Sequence, residues 1–533
     1  MLTVLVACVT AAALVHATDV ASRIHQTSDS AQSFVAAHAV LGGNVLLTGW
    51  RVPVDNYFAT DTLPYVALEW LLGPRPFLLV LVPALTYALL VLAAALGCAL
   101  ATQSFPRKVE GILVVAFLLA CPVWSGNWNP LLLSDFHVGS TLAALLALAL
   151  CALVVAREGS GRTPLLSGFV LFLLTAVTVA SDPLTLVFAF GPALFVLLVD
   201  LGLRKHSSPF GLAIVTVGVA VGLLLPLIVA SVGHGLIVVN RLELGFGALS
   251  RMPASALALL FSFLNYFGAN VVERQAGGGL LLGVRLIAFF AVVLAIGDVA
   301  RRMVRAQEVQ PLDGFLCSGI LCLSIACILS AKFARPITFA TIWSGSDSER
   351  YVVPAVFFSV ALAGRRLPPL VASLSNNLAR HAARVLLVVL ALLSAAAGDW
   401  PSRLTEAQPR WIENNSAREV GQWLVRHGLR QGVGEYWSTN LINAMSGDTV
   451  AIRSVSPFHG KLFPYLWETD RRAYDQVPEF VIWQEPNQAR MTYKDVVASY
   501  PVSARITLSD YFIAIVSGPS ALPGVRGAND ARR

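Results

Sequence analysis

The first polar segment of the chain, residues 18–76, carries side chains suited to acid-base chemistry. Asp29 lies between two serines, and Asp55 and Asp61 follow within the same segment. A carboxylate held beside a hydroxyl can accept its proton, which makes Asp29 a candidate general base. The alternative is a capping role, because Ser-Asp-Ser is also typical of a helix start. Asp55 and Asp61 could bind a substrate or a divalent ion, but their sequence contexts are also common in turns.

Two later polar segments add further candidates. Trp128 could stack on a sugar ring, and Asp135 with His137 could form an acid-base or polarising pair. Trp128 could instead be an interfacial anchor and Asp135 a helix cap. Asp182 occupies a short Ser-Asp-Pro turn, where a carboxylate at membrane level could line a cavity. Asp-Pro is equally typical of a helix start.

A group of cations precedes a late apolar run. Lys332 and Arg335 lie in this segment, which ends in Arg350, Tyr351, two valines and a proline. An arginine fixed at the end of a membrane helix can hold a phosphate through two parallel hydrogen bonds. We therefore predict that Arg350 and Tyr351 bind such a group, with Lys332 and Arg335 assisting. Interfacial anchoring of the arginine is the alternative.

The elements that must position these residues are membrane helices. With 56% hydrophobic and 13% charged residues among 533, the chain has too little charged surface for a soluble globule of its size. Its apolar runs are close to the length that crosses a bilayer as helix, which argues against a membrane β-barrel. We predict eleven spans, at residues 2–17, 77–100, 110–124, 141–156, 164–180, 184–203, 210–232, 279–300, 313–331, 351–364 and 385–398.

Basic residues predict the orientation of these spans. The loops after spans two, four, six, eight and ten are short and contain arginine or lysine, so they are expected in the cytoplasm. The N-terminus is then cytoplasmic, and the intervening loops face the other side. Two of these, residues 18–76 and 233–278, mix apolar stretches with charges and predict interfacial helices. Residues 1–17 could alternatively be a cleaved signal peptide, which leaves the next loop outside.

The composition changes at about Asp399. A helical pattern over 417–429 is followed by strand-like runs at 450–455, 480–483 and 511–516. We therefore predict a mainly α, polytopic membrane helix bundle at residues 1–398 and a small extracytoplasmic α/β domain at residues 399–533.

Several function classes have little support in the sequence. The net charge of +7 arises mostly from clusters between apolar runs, where topology explains it without nucleic acid. The seven cysteines lie in or beside apolar runs, so they indicate neither a disulfide framework nor a zinc site. No phosphate-binding glycine loop supports ATP-driven transport. No cofactor is predicted with certainty, although a divalent metal is compatible with the carboxylates.

Two features resemble the GT-C superfamily of membrane glycosyltransferases. In the first outer loop, an acidic residue soon after the first span is followed by an interfacial helix, a glycine-rich turn and an aromatic stretch. The Arg-Tyr-x-x-Pro sequence at Arg350 is similar to the entry of a late helix in many of these enzymes. The family often has a second acid beside the first, where this chain has Ser30. The resemblance implies that Asp29 is the general base or orients the acceptor.

The resemblance also implies a reaction and a place. A sugar would pass from a polyprenyl-phosphate donor to a glycan, lipid or protein acceptor on the outer face of a bacterial cytoplasmic membrane. The first alternative is a transporter or lipid-linked-sugar flippase, for which the Gly218–Gly222 stretch and Pro226 would be breaks in a helix. The second is a non-catalytic membrane assembly protein that kept the fold.

Overall fold

The computed structural model describes residues 1–100, 103–120, 122, 129–158, 165–204, 209–232, 237–238, 245–269, 279–331, 347–397, 410–467, 469–485 and 490–517. Most of this part is helical. Its α-helices are α1 (Leu2–Ala21), α2 (Ser28–Leu41), α3 (Leu63–Leu72), α4 (Leu78–Ala99), α5 (Phe105–Leu119), α6 (Val138–Glu158), α7 (Leu165–Ser181), α8 (Gly191–Arg204), α9 (Pro209–Val232), α10 (Met252–Tyr266), α11 (Gly279–Val304), α12 (Pro311–Leu329), α13 (Val353–Ala372), α14 (Asn377–Ala397), α15 (Ser416–Arg426), α16 (Tyr436–Met445) and α17 (Tyr493–Ser499).

The helix bundle is that of a membrane protein. Among the described residues, seven helices are long and apolar enough to cross a bilayer: Leu2–Ala21, Leu78–Ala99, Val138–Glu158, Pro209–Ser231, Leu282–Val304, Pro311–Leu329 and Glu349–Ala372. The predicted count of eleven is not confirmed, although a helix lies at each predicted position. Two of the remaining helices, α5 and α7, have only 15 and 17 residues, which is short for a span. A π-helical turn at Leu186–Phe190 directly precedes α8.

Glycines allow neighbouring helices to approach closely. A Cβ atom on Gly111 of α5 would lie 2.4 Å from the carbonyl oxygen of Gly364 on α13. On α9, a Cβ on Gly222 would lie 2.6 Å from the carbonyl oxygen of Ala176, and one on Gly218 would lie 2.9 Å from the Thr175 side chain. This four-residue spacing of small residues is typical of packed membrane helices. The Gly218–Gly222 stretch therefore packs α9 against α7, and α9 runs through it without a break.

The segment between α1 and α4 contains two helices outside the seven candidate spans. α2 and α3 are joined through strand β1 (Trp50–Val52) and a π-helical turn at Phe58–Thr62. β1 pairs in parallel with β2 (Ile237–Val238) and antiparallel with β6 (Thr469–Asp470). This small sheet joins residues 18–76 to the segment 233–278, which contains β2, and to the C-terminal region, which contains β6.

The C-terminal region contains the predicted α/β arrangement. Its strands are β3 (Gln431–Glu435), β4 (Ala451–Phe458), β5 (Lys461–Pro464), β7 (Phe480–Gln484), β8 (Val502–Leu508) and β9 (Tyr511–Val516). They form a six-stranded sheet of order β5-β4-β3-β7-β9-β8, in which β3 pairs in parallel with β4 and β7 while the other pairs are antiparallel. Gly432 and Gly434 lie inside strand β3 because the Phe480 and Ile482 side chains leave no room for a Cβ.

An ionic cluster joins several helices at one end of the bundle. Arg365 donates to Asp313 at 2.5 Å, and Arg366 donates to Asp298 at 2.5 Å. Arg302 also donates to Asp298, at 3.1 Å. The arginines in the last turn of α11 and in the second half of α13 therefore meet at the same end of the bundle, as expected if both belong to the predicted cytoplasmic side.

Candidate functional site

Helix α2 presents Asp29 to the C-terminal region. Thr27 caps this helix, since its hydroxyl accepts from the backbone N–H of Ser30 at 3.2 Å. Asp29 lies in the first turn, where its Oδ1 accepts a hydrogen bond from the hydroxyl of Tyr436 at 2.5 Å. The capping role that Ser-Asp-Ser suggested for Asp29 thus belongs to Thr27, and the Asp29 side chain binds across to another segment.

Asp135 lies in the connection between α5 and α6 and reaches back to α2. The Ser33 hydroxyl donates to Asp135 Oδ1 at 2.7 Å, and the Ser33 backbone N–H donates to Oδ2 at 3.2 Å. The backbone N–H of Asp135 donates to Asp61 Oδ1 at 3.3 Å. Asp135 adopts a left-handed φ of 64°, which is uncommon for a non-glycine residue and fits a site held by tertiary contacts.

Burial and mutual repulsion raise the pKa values of the Asp61 and Asp135 carboxyls. Burial raises the pKa of Asp61 to about 6, against the opposing hydrogen bond from Thr60. Burial also raises the pKa of Asp135, and the neighbouring carboxyls of Asp61 and Asp29 raise it further. Like charges in a shared, poorly solvated place do not ionise together easily. The site can therefore hold a proton at pH values where an exposed aspartate has lost it.

A second group centres on His137. Its Nδ1 lies 2.7 Å from Asp182 Oδ2, and both side chains are buried. Asp182 Oδ1 accepts from the backbone N–H of Leu184 at 3.0 Å, so Asp182 both starts the next helical segment and orients the imidazole. The Tyr57 hydroxyl lies 3.2 Å from the His137 ring nitrogens and donates to Asp55 Oδ2 at 3.1 Å. The expected Asp135–His137 pair is therefore replaced by His137–Asp182.

Arg350 lies against the same connection. Its guanidinium carbon is 5.5 Å from the ring centroid of Phe136, the residue between Asp135 and His137. It is also 5.1 Å from the Tyr351 ring, and its Nη2 donates to the Tyr351 hydroxyl at 3.2 Å. Contacts of this kind hold the flat face of a guanidinium while its edge remains able to donate.

A short 3₁₀ helix, Asp347–Val352, positions this arginine just before α13. The buried Glu349 side chain accepts from Asn265 at 3.1 Å, and the Glu349 carbonyl oxygen accepts from the Tyr266 hydroxyl at 3.0 Å. Both partners belong to α10, so this helix holds the residue directly before Arg350 in place.

The structure brings most of the predicted residues into one cluster, which we call the carboxylate–arginine cluster. Its members are Asp29, Asp55, Asp61, Asp135, His137, Asp182, Arg350 and Tyr351. Trp128, Lys332 and Arg335 lie outside the described residues. The sequence did not identify Ser33, Tyr57 or Tyr436 as partners of these residues. Of the three, Tyr57 alone had a local signal, the Asp-Asn-Tyr sequence before Phe58.

The cluster can exchange protons and bind an anion. Within the described part of the chain, no group of three or more His, Cys, Asp or Glu residues could hold a metal ion. No protein-family model matches the chain, and no curated protein matches it.

Proposed function

We propose that this membrane protein is a glycosyltransferase of the GT-C type that uses a polyprenyl-phosphate sugar. The proposal is supported by one observation. Carboxylates from three separate connections, Asp61, Asp135 and Asp182, lie around the segment 135–137, and Arg350 packs against Phe136 in the same segment. A reaction in which one group takes a proton while a phosphate departs needs both kinds of side chain in one place. Buried charges in a membrane protein are costly and mark functional sites by default.

The proposed step assigns one role to each end of the cluster. The acceptor hydroxyl oxygen forms a bond to the anomeric carbon of the sugar as the bond from that carbon to the phosphate oxygen breaks. Asp29 takes the hydroxyl proton. Arg350 holds the polyprenyl phosphate through charge-assisted hydrogen bonds and stabilises its negative charge as it leaves. Asp61, Asp135 and His137 bind the hydroxyl groups of the sugar.

The place of the cluster suits a lipid-linked donor. Arg350 lies at the start of a candidate span, Glu349–Ala372, so a phosphate bound there can keep its polyprenyl chain in the bilayer. The proposed acceptor is a glycan, lipid or protein on the outer face of a bacterial cytoplasmic membrane. In this arrangement the C-terminal domain is extracytoplasmic.

The test is sugar transfer by the purified protein supplied with a panel of polyprenyl-phosphate sugars. Asp29→Asn removes the proton acceptor, and we expect kcat to fall by about 100-fold or more. Arg350→Ala removes the phosphate contact and should raise KM for the donor as well as lower kcat. The exposed Asp475→Asn and Arg410→Ala on the C-terminal domain are matched controls. Wild-type turnover in both site variants, or no donor hydrolysis or transfer by the wild type with any donor, contradicts the proposal.

A further inference from the structure

The C-terminal domain docks directly on the helix that carries Asp29. Helix α16 packs along α2, and the Ser28 hydroxyl donates to the carbonyl oxygen of Tyr436 at 2.6 Å. The backbone N–H of Asn440 donates back to the Ser28 hydroxyl at 3.2 Å. These bonds are buried and fix the register between the first turns of the two helices. They bring Tyr436 beside Asp29, although the two residues are 407 positions apart.

The Tyr436 ring is held from several sides. It makes edge-to-face contacts with Trp437 and Tyr465, at centroid distances of 5.2 and 5.5 Å. Glu435 caps helix α16, because its side chain accepts from the backbone N–H of Trp437 at 3.0 Å and from the Ser438 hydroxyl. Tyr436 is only 7% exposed. A ring held this way points its hydroxyl in one direction, which is toward Asp29 Oδ1.

We propose that Tyr436 is a positioning residue that aims the carboxylate of Asp29, so that the C-terminal domain completes the catalytic site. This inference rests on the proposed glycosyl transfer. The phenol donates and keeps its proton throughout, so it takes no part in the transfer of the acceptor proton. Its hydrogen bond fixes the plane of the carboxylate and favours the charged form of Asp29, which is the form that accepts a proton.

The neighbourhood of Asp29 makes this contact consequential. Asp135 lies close enough for its carboxyl to interact with that of Asp29, and their like charges disfavour simultaneous ionisation. A hydrogen bond donated to Asp29 but not to Asp135 favours ionisation of Asp29 over that of its neighbour. Tyr436 donates this bond to Asp29. The Asp135 carboxyl accepts two bonds from Ser33, but burial still raises its pKa.

Tyr436→Phe tests the role because it removes only the hydroxyl. We expect kcat to fall by roughly 10- to 100-fold with little change in KM for the donor, since Arg350 still holds the phosphate. Loss of the hydrogen bond makes the charged carboxylate less favourable, so the acid limb of the pH profile of kcat should move to higher pH.

Tyr474→Phe is the matched control. Its hydroxyl donates to the Ser454 carbonyl oxygen at 2.5 Å inside the same domain, so the variant also loses a buried tyrosine hydrogen bond. We expect it to keep the wild-type pH profile whatever its effect on thermal stability. A wild-type kcat and pH profile in Tyr436→Phe overturns the inference, as does an equal shift of the profile in Tyr474→Phe. If the wild type itself transfers no sugar, the proposed function fails instead.

Discussion

At the scale of single residues, burial makes ionisation of carboxyls in the carboxylate–arginine cluster unfavourable. Asp61 and Asp135 are almost fully buried, and Asp135 donates its backbone N–H to the Asp61 carboxyl. A carboxyl whose pKa is raised on folding contributes stability that is present below its unfolded pKa. That contribution is lost as the pH rises through the folded pKa, which for Asp61 is about 6. The folded protein should therefore lose stability between about pH 4 and pH 6.

Asp61→Asn should relieve this cost. The amide oxygen can still accept from Thr60 or from the Asp135 backbone, but it carries no charge. We expect the variant to be more stable than the wild type at pH 8 by on the order of 1 kcal/mol, or a few degrees in melting temperature, and the gain to be smaller at pH 5. Thermal unfolding in detergent at both pH values measures it, with Asp475→Asn as control. A variant less stable than the wild type at pH 8 contradicts this account.

At the scale of elements, the cluster depends on one close helix contact. Gly139 lies in the first turn of α6 against the π-helical turn that holds Asp61. A Cβ atom there would lie 2.4 Å from the carbonyl oxygen of Thr60 and 2.7 Å from Asp61 Oδ2. Because the nearest atom belongs to the backbone, the turn itself must move to admit a methyl group.

Gly139→Ala should therefore lower both stability and sugar transfer. Forcing a methyl into a packed contact costs about 1–3 kcal/mol, and the displaced Asp61 should weaken substrate binding. Gly283→Ala is the control, since a Cβ on that helical glycine meets nothing within 4 Å and alanine favours helix. Thermal unfolding and steady-state kinetics on both variants give the comparison. An unchanged melting temperature in Gly139→Ala would show that the turn is not rigid.

The sequence predicts the elements better than it predicts their contacts. Apolar runs and strand patterns are local signals, so helices at all the expected places and the strands β4, β7 and β9 were predictable. The His137–Asp182 pair joins residues 45 positions apart, and Ser33–Asp135 joins residues 102 apart. Neither has a local signature. The left-handed backbone conformation of Tyr57, Asp135 and His137 could not be predicted either, because none of these residues is a glycine.

At the scale of the whole molecule, helix α13 links two charged ends. Arg350 lies just before it, and Arg365 near its end belongs to the ionic cluster with Asp313. Fifteen residues of helix span about 22 Å, most of the thickness of a hydrocarbon core. The carboxylate–arginine cluster and the ionic cluster therefore lie toward opposite ends of this candidate span.

Cysteine labelling tests the orientation that the basic loops predict. Lys461→Cys lies at the exposed first position of strand β5 in the C-terminal domain, and Arg305→Cys lies just after α11. We expect a membrane-impermeant maleimide to label Lys461→Cys in intact spheroplasts and Arg305→Cys only after lysis. The unsubstituted chain measures background from its native cysteines. The reverse pattern would place the cluster in the cytoplasm and remove the basis for an extracytoplasmic acceptor.

The contact between Tyr436 and Asp29 also sets an order of biogenesis. At ordinary ribosome speeds, the 407 residues between them take roughly 20 to 80 s to synthesise. During that interval the helices can insert into the bilayer, but Asp29 still lacks its hydrogen bond from Tyr436. If the proposed function holds, a nascent or truncated polypeptide would consume activated sugar only slowly until translation had finished.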